Sequence, residues 1–256
     1  MNLQNILHEI EQVDGEVYDR LKHVTRRHMF SSITKKALSV AAPAVMATAL
    51  NKAYAQSGSS VTDVLNFALT LEYLEAEFYN RGLAAGGLIP AQYRDLFDQI
   101  RKHEDAHVAL LRGALGSAAV AKPNFDFTAK GTFPTVFTNF QTFSAVAQAF
   151  EDTGVRAYKG QAANLMSNDA VLTIALQIHS VEARHAARVR MLNNAKGWIV
   201  GMEGFPGAVY AGEQAARERE VNVAGLTGQT EMKVSEAFDE PLTKEQVLAI
   251  ATPFIA

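Results

Sequence analysis

Hydrophobic positions between residues 61 and 195 recur at the three- and four-residue spacing that is typical of amphipathic helices. Four such stretches are separated by breaks rich in glycine, proline or serine, so the pattern predicts four helices. We place them at about 61–80, 90–115, 139–166 and 168–195. Gly154 lies inside the third helix and is expected to weaken it locally. The sequence therefore predicts an all-α domain in which four helices pack as an up-down bundle.

The longest break, residues 116–137, separates the second helix from the third. Pro123 and Pro134 exclude a continuous helix there, because proline lacks the backbone donor that a helix needs. Phenylalanines alternate with polar residues in the same stretch. We expect one long crossover, or a short strand-like strap lying across the bundle.

The last sixty residues form a separate region with a different composition. Residues 196–256 begin with many glycines and several aromatic residues, which predicts an irregular segment packed back on the bundle. Thr243 and Gln246 resemble a capping box, so residues 244–252 are expected to form a short final helix. The predicted domains are 1–55, an N-terminal extension, 56–195, the bundle, and 196–256, the C-terminal extension.

The N-terminal extension has the segment order of an export signal. Residues 1–24 have apolar positions at helical spacing, and the pair Arg26-Arg27 precedes an apolar run at 37–50 and small residues up to Ala55. The arginine pair resembles a twin-arginine signal, although Met29 and Phe30 stand where Phe-Leu is usual. We predict cleavage after Ala55 and a periplasmic or otherwise exported protein. An uncleaved anchor and a cytoplasmic helix remain alternatives.

Composition excludes several classes of function. The net charge is −3 and the second half has no dense basic block, which argues against a nucleic-acid partner. The chain has no cysteine, so disulfides, zinc ribbons and cysteine-ligated clusters are excluded. The apolar run near the N-terminus is shorter than the roughly 20 residues that span a bilayer, so membrane contact is expected only during export. A homo-oligomer is compatible with the sequence.

The second and fourth predicted helices carry the same short motif. Glu104 and His107 are three residues apart, and so are Glu182 and His185, so each pair lies on one face of its helix. Apolar residues occupy the same faces. A carboxylate and an imidazole that point into an apolar stripe need a partner, and a bound metal ion is one.

A second motif precedes the first at a matching interval. Glu72 is followed seven residues later by Tyr79, and Glu151 is followed seven residues later by Tyr158. Each of these glutamates precedes the next Glu-x-x-His motif by 32 or 31 residues. The chain therefore contains two helix hairpins with the same motif pattern.

Together the two hairpins supply four carboxylates and two imidazoles, which is the ligand inventory of di-iron and di-manganese bundles. Four carboxylates balance the charge of two divalent cations, and this donor set suits iron or manganese. We predict two Fe ions, with two Mn ions as the alternative. Tyr79 and Tyr158 are candidate catalytic residues that hydrogen-bond a ligand or pass an electron. Asp105 and Asp152 are candidates to orient the histidines. The predicted metal ligands are Glu72, Glu104, His107, Glu151, Glu182 and His185.

Three further residues leave alternatives open. Glu75 lies one turn beyond Glu72 and is an alternative or additional ligand; Glu72 is preferred because only it matches the spacing of the second hairpin. His103 and His179 are expected to be surface or packing histidines. Of these two, His179 is the better candidate for contact with a ligand, since it precedes Glu182 by one turn.

The first helix resembles a known family. Its segment LNFALTLEYLEAEFY, residues 65–79, is similar to the ferritin-like domain of exported bacterial proteins related to plant desiccation-associated proteins. The doubled motifs resemble those of rubrerythrin-type bundles. The resemblance covers about residues 61–195 and implies a ferritin-like bundle with one long crossover, in which the six residues above bind two metals. Without cysteine there is no rubredoxin-type iron centre, and the long C-terminal extension departs from ferritin cages.

Two functions follow as hypotheses. The leading one is an exported oxidoreductase-type metalloprotein that reacts with dioxygen or hydrogen peroxide, as a ferroxidase or a peroxide scavenger. Manganese catalase, a ferritin-like bundle with a similar ligand set, is a variant of this class. The alternative is a non-enzymatic module related to stress or desiccation, with a structural or degenerate metal site.

Overall fold

The computed structural model describes residues 59–201, 206–213 and 223–256. Four long helices dominate these ranges, which confirms the all-α prediction. In this part of the chain no helix combines the length and the apolar character needed to cross a membrane. The predicted amphipathic segment, the export signal and the cleavage point at Ala55 lie outside the described residues. The four helices are α1 (Ser59–Ala84), α2 (Ala91–Leu115), α3 (Phe140–Ala162) and α4 (Asp169–Leu192).

Asparagine side chains begin the third and fourth helices. Asn139 accepts a hydrogen bond from the backbone N–H of Thr142 at 2.9 Å, and Asn168 accepts one from that of Val171 at 3.2 Å. Asn139 and Asn168 therefore cap α3 and α4. Both helices end a few residues earlier than predicted. The prediction was too long because the apolar periodicity continues into the turns that follow the helices.

The helices pack as two antiparallel hairpins, α1 with α2 and α3 with α4. The ring of Tyr93, near the start of α2, stacks on Phe140 at the start of α3, with centroids 5.6 Å apart. Asn193, just after α4, donates to the backbone oxygen of Ser144 near the start of α3 at 2.9 Å. The second and third helices therefore begin at the same end of the bundle, and the crossover must run along its length.

The crossover is held against α1. It begins with a single 3-10 turn, Gly116–Ala118, and the side chain of Asn66 hydrogen-bonds both the oxygen of Ala118 (3.0 Å) and the N–H of Val120 (2.9 Å). The strand-like alternative reduces, within the described residues, to an isolated antiparallel bridge between Phe125 and Ile255. The long crossover is thus the correct alternative.

The C-terminal region contains more helix than the sequence suggested. The final helix has the predicted capping box, in which Thr243 and Gln246 bond each other's backbone. Two short helices precede it that the pattern did not predict. The described elements are a 3-10 turn (Gly207–Tyr210), α5 (Val223–Thr227), α6 (Glu231–Ser235), α7 (Lys244–Ala251) and a 3-10 turn (Thr252–Phe254).

One buried arginine fastens this region to α3. Arg156 is fully buried, donates to the backbone oxygen of Glu240 at 2.7 Å and pairs with Glu213 at 2.9 Å. One turn further on, a side chain at Gly160 would place its Cβ 1.9 Å from the backbone oxygen of Leu242. The close approach of the two backbones therefore requires glycine at this position.

Candidate metal centre

The bundle brings all six predicted ligands together at its centre. They form two overlapping groups, and within each group one potential ligand atom per residue lies within 4.8 Å of all the others. Glu104 and Glu182 belong to both groups. Two shared carboxylates between two sets of donors form an arrangement that can hold two neighbouring cations. The groups are Glu72, Glu104, His107 and Glu182, and Glu104, Glu151, Glu182 and His185.

Both imidazoles turn their Nδ1 atoms towards the carboxylates. The Nδ1 of His107 is 3.1 Å from Oε2 of Glu104 and 3.1 Å from Oε2 of Glu72. The Nδ1 of His185 is 2.8 Å from Oε1 of Glu104 and 3.3 Å from Oε2 of Glu151. The carboxylate of Glu104 therefore lies between the two histidines, with one oxygen towards each.

Several donor atoms at this centre are buried without a hydrogen-bond partner among the described residues. They include Oε2 of Glu151, both carboxylate oxygens of Glu182 and Nδ1 of His185. The last atom is nevertheless only 2.8 Å from Oε1 of Glu104, which also has no hydrogen bond. Buried polar atoms normally find partners, so atoms that converge without bonding one another are suited to a shared cation. The residues present thus fit a pair of metal ions.

All four predicted glutamate ligands have no exposed surface. Burial raises the pKa of the Glu104 carboxyl well above its usual range, and the charge of Glu182 raises it further. Burial likewise raises the pKa of Glu151 to about 7, although His185 acts in the opposite direction. In the absence of cations, part of this carboxylate cluster is therefore neutralised by protons.

The histidines respond in the complementary sense. Burial alone would lower the pKa of His185, but Glu151 and Glu104 outweigh it and raise that pKa to about 12. The pKa of His107 is also raised, since Glu72 and Glu104 overcome the effect of burial. The two histidines in turn lower the pKa of Glu182 against the effect of its burial. Metal ions would replace these protons, so binding should release them.

The two tyrosines connect the halves of the repeat reciprocally. Tyr79 on α1 donates to Glu151 on α3, and Tyr158 on α3 donates to Glu72 on α1. Burial and the neighbouring carboxylates raise the pKa of both hydroxyls well above the usual range, so both remain protonated donors. Each tyrosine thus fixes one oxygen of a predicted ligand on the opposite hairpin.

Glu75 is close to the centre but belongs to neither donor group. Its side chain is almost fully buried, and burial together with the charge of Glu182 raises its pKa well above the usual range. A Cβ at Gly154 would lie 3.3 Å from Oε1 of Glu75 and 3.4 Å from Oε2 of Glu182. The glycine inside α3, expected only to weaken the helix, therefore makes room for two carboxyl groups.

His103 has a role that the sequence analysis missed. Its Nδ1 is 2.8 Å from Nε2 of His185, and its Nε2 is 2.8 Å from the side-chain nitrogen of the exposed Gln99. The planes of the two rings are within 12° of parallel and their centroids are 5.1 Å apart. These values fit two rings that lie edge to edge and meet through this nitrogen–nitrogen contact. His103, rather than His179, contacts a predicted ligand. The available signal was its position one turn before His107.

The two aspartates proposed to orient the histidines do not contact them. Asp105 pairs with Arg101 at 2.6 Å on the bundle surface. Asp152 is buried, pairs with Arg190 at 2.6 Å and accepts a hydrogen bond from Tyr210 at 2.8 Å. That prediction is wrong because each aspartate lies one position away from the face that points to the centre.

The fold and the centre define a class: a four-helix bundle with a buried cluster of carboxylates and histidines that can hold metal. A family model described as a ferritin-like domain matches residues 60–195, more than half of the chain. The chain belongs to the ferritin-like domain family. No curated protein matches it.

Proposed function

We propose that this protein binds two Fe or Mn ions in its bundle and uses them for redox chemistry with dioxygen or hydrogen peroxide. The observation that carries the proposal is the pair of donor groups that share Glu104 and Glu182. Buried carboxylate oxygens without hydrogen bonds are costly unless a cation compensates them. A pair of ions at these positions would neutralise the charge of the four glutamates.

The residues have separate roles in this proposal. Glu104 and Glu182 would each help to hold both ions, while His107 and His185 would each help to hold one. Tyr79 and Tyr158 are positioning residues that hold Glu151 and Glu72 in place and keep their protons. A bound metal pair would supply the electrons that the oxidant takes up. Ferrous oxidation and peroxide removal are both compatible with this arrangement.

We also propose that the protein acts outside the cytoplasm. The support is the order of segments in residues 1–55, with an arginine pair before an apolar run and small residues. Export as a folded protein through the twin-arginine route would suit a protein that takes up its metal first. Fractionation of cells that express the full chain, with Arg26→Lys and Arg27→Lys together as the control, tests this proposal.

Metal content tests the central proposal. The full chain is expressed in medium supplied with iron and manganese and analysed by inductively coupled plasma mass spectrometry. We expect about two Fe or Mn per chain, none in Glu104→Gln with Glu182→Gln, and two in the surface control Glu77→Gln. Loaded protein should then change oxidation state when dioxygen or peroxide is added.

The outcomes separate the candidate functions. Two ions that change oxidation state with either oxidant support the oxidoreductase-type function. Two ions that raise the melting temperature but remain unchanged by both oxidants would identify a structural site. No bound metal in the unsubstituted chain would overturn the proposal.

A further inference from the structure

An apolar cavity lies inside the bundle beside the metal centre. All four long helices contribute to its wall, and twelve of its fourteen lining side chains are hydrocarbon. The wall includes Leu71, the neighbour of Glu72 in the sequence. It also includes Leu111 and Ile178, which are one helical turn from His107 and Glu182 respectively. Tyr158 also lines the wall, and its hydroxyl donates to Glu72, so this side chain lies between the cavity and the centre.

Two of the polar atoms in the wall are already hydrogen-bonded. The hydroxyl of Tyr158 donates to Glu72, and the side-chain oxygen of Gln161 accepts a hydrogen bond from Asn164 at 2.9 Å. A guest in this cavity therefore meets mostly hydrocarbon. Such a wall favours a guest that needs no hydrogen bonds, because a polar guest would lose those it makes in water.

The size of the cavity limits the guest further. The centre of a water-sized sphere can move within a volume of about 20 Å³. One water-sized molecule needs at least about 10–15 Å³ of such space, and an ordered water also needs two or more polar partners. The cavity thus has room for one small molecule, and only two of its lining side chains are polar, which disfavours an ordered water. The wall is not entirely shielded from solvent, because the exposed fraction is 9% for each of three lining residues, Val64, Ile174 and Ala175.

We propose that this cavity is a binding site for dioxygen on its way to the metal pair. Dioxygen is apolar and small enough for the space, whereas hydrogen peroxide would give up its hydrogen bonds to enter. A dioxygen molecule next to Tyr158 would lie close to Glu72 and to the ion that Glu72 would help to hold. This inference rests on the proposed function. Of the two oxidants considered there, it assigns dioxygen to this route.

Xenon tests the cavity without any metal. Xenon is an apolar gas atom that occupies dry apolar cavities, and its position is visible by diffraction from pressurised crystals of the metal-free full chain. We expect a xenon atom among Leu71, Leu111 and Ile178, and none in Ala175→Leu, which fills the space. Ala170→Leu adds the same side chain to the same helix at an exposed position and should retain xenon.

The same variants test the route to the metals. With iron bound, Ala175→Leu should slow oxidation by dioxygen severalfold and leave oxidation by hydrogen peroxide unchanged, while Ala170→Leu alters neither rate. Ile174→Ala, which widens the cavity, should not slow the reaction with dioxygen. Iron content and melting temperature are measured for each variant, so that a folding defect is recognised.

The outcomes distinguish this inference from the proposed function. The inference fails if xenon binds only elsewhere, or if filling the cavity slows oxidation by both oxidants equally or by neither. The proposed metal site would stand in each of these cases. If the chain binds no metal, the proposed function fails, and xenon still decides whether the cavity takes an apolar gas. Xenon binding together with selective slowing of dioxygen supports the inference.

Discussion

The two hairpins of the bundle, α1–α2 and α3–α4, carry the same ligand pattern in different surroundings. Three residues after the first glutamate, one hairpin has Glu75 and the other has Gly154. Immediately before the second glutamate, one has His103 and the other has Val181. A duplicated pattern therefore encloses a centre whose two positions are unequal.

The differences are complementary across the interface. Gly154 leaves the space that the carboxyl group of Glu75 occupies, and His103 from the first hairpin contacts His185 from the second. Each hairpin thus has a residue without an equivalent in the other hairpin that accommodates or contacts a side chain of that other hairpin. The comparison teaches that the repeat sets the kind of ligand, whereas contacts between hairpins set how each ligand is held.

The shared carboxylates give the largest expected effect. Glu182 belongs to both donor groups, while Glu72 and Glu151 belong to one each. We expect Glu182→Gln to lose both metal ions, and Glu72→Gln or Glu151→Gln to retain one. Metal content of the purified variants checks this result. Equal losses in all three variants would contradict the assignment of shared and unshared ligands.

The pH dependence of stability tests the second hairpin. Glu151 titrates near 4.5 when unfolded and near 7 when folded, so its protonated form stabilises the metal-free protein at low pH. That contribution, on the order of 3 kcal/mol, is lost as the pH rises through 7. His185 acts in the same direction. Its pKa is raised in the folded state, so the folded protein keeps a proton that the unfolded chain loses as the pH rises above about 6.5.

Urea unfolding at pH 5 and pH 8 provides the measurement. Metal-free protein should have a lower free energy of unfolding at pH 8, whereas metal-loaded protein should be more stable at pH 8 than at pH 5, because ligands bind metal when deprotonated. Equal stability of the metal-free protein at the two pH values would show that the cluster does not hold these protons.

His103 tests whether the two metal positions are unequal. A group that orients a histidine ligand typically contributes about 10- to 100-fold to metal affinity. We therefore expect His103→Leu to lower the affinity for one of the two ions by about that factor. His103→Gln keeps an acceptor for His185 and should restore part of the affinity. His179→Leu is the matched control and should leave both affinities unchanged. Calorimetric titration with Mn(II) resolves the two binding steps.

Gly154 gives the smallest expected effect. Alanine in place of glycine inside a helix usually stabilises it by about 1 kcal/mol, but here the added Cβ would crowd Glu75. Gly154→Ala should therefore gain less than that in the natural chain and more in a Glu75→Ala background. The free energies of unfolding of the unsubstituted chain, the two single variants and the double variant form a double-mutant cycle. No coupling would mean that the glycine does not serve Glu75.

Much of the fold followed from local pattern. Apolar spacing located four helices within a few residues, and the Thr243–Gln246 capping box located the last one. The short helices α5 and α6 were not predicted, because a five-residue helix is too short to show a period. The anchoring of the C-terminal region through Arg156 was not predicted, since its partners, a backbone oxygen and Glu213, are distant in the sequence.

The sequence by itself determined the donor inventory, because helical spacing of three residues places Glu and His on one face whatever the neighbouring helix is. It also determined the pairing of each glutamate with a tyrosine, through the repeated interval. Only the tertiary structure decided that Glu104 and Glu182 are shared, that His103 rather than His179 contacts His185, and that Gly154 accommodates Glu75. Those facts depend on how two helices meet across the bundle, and the spacing within one helix carries no information about the side chains that another helix brings to it.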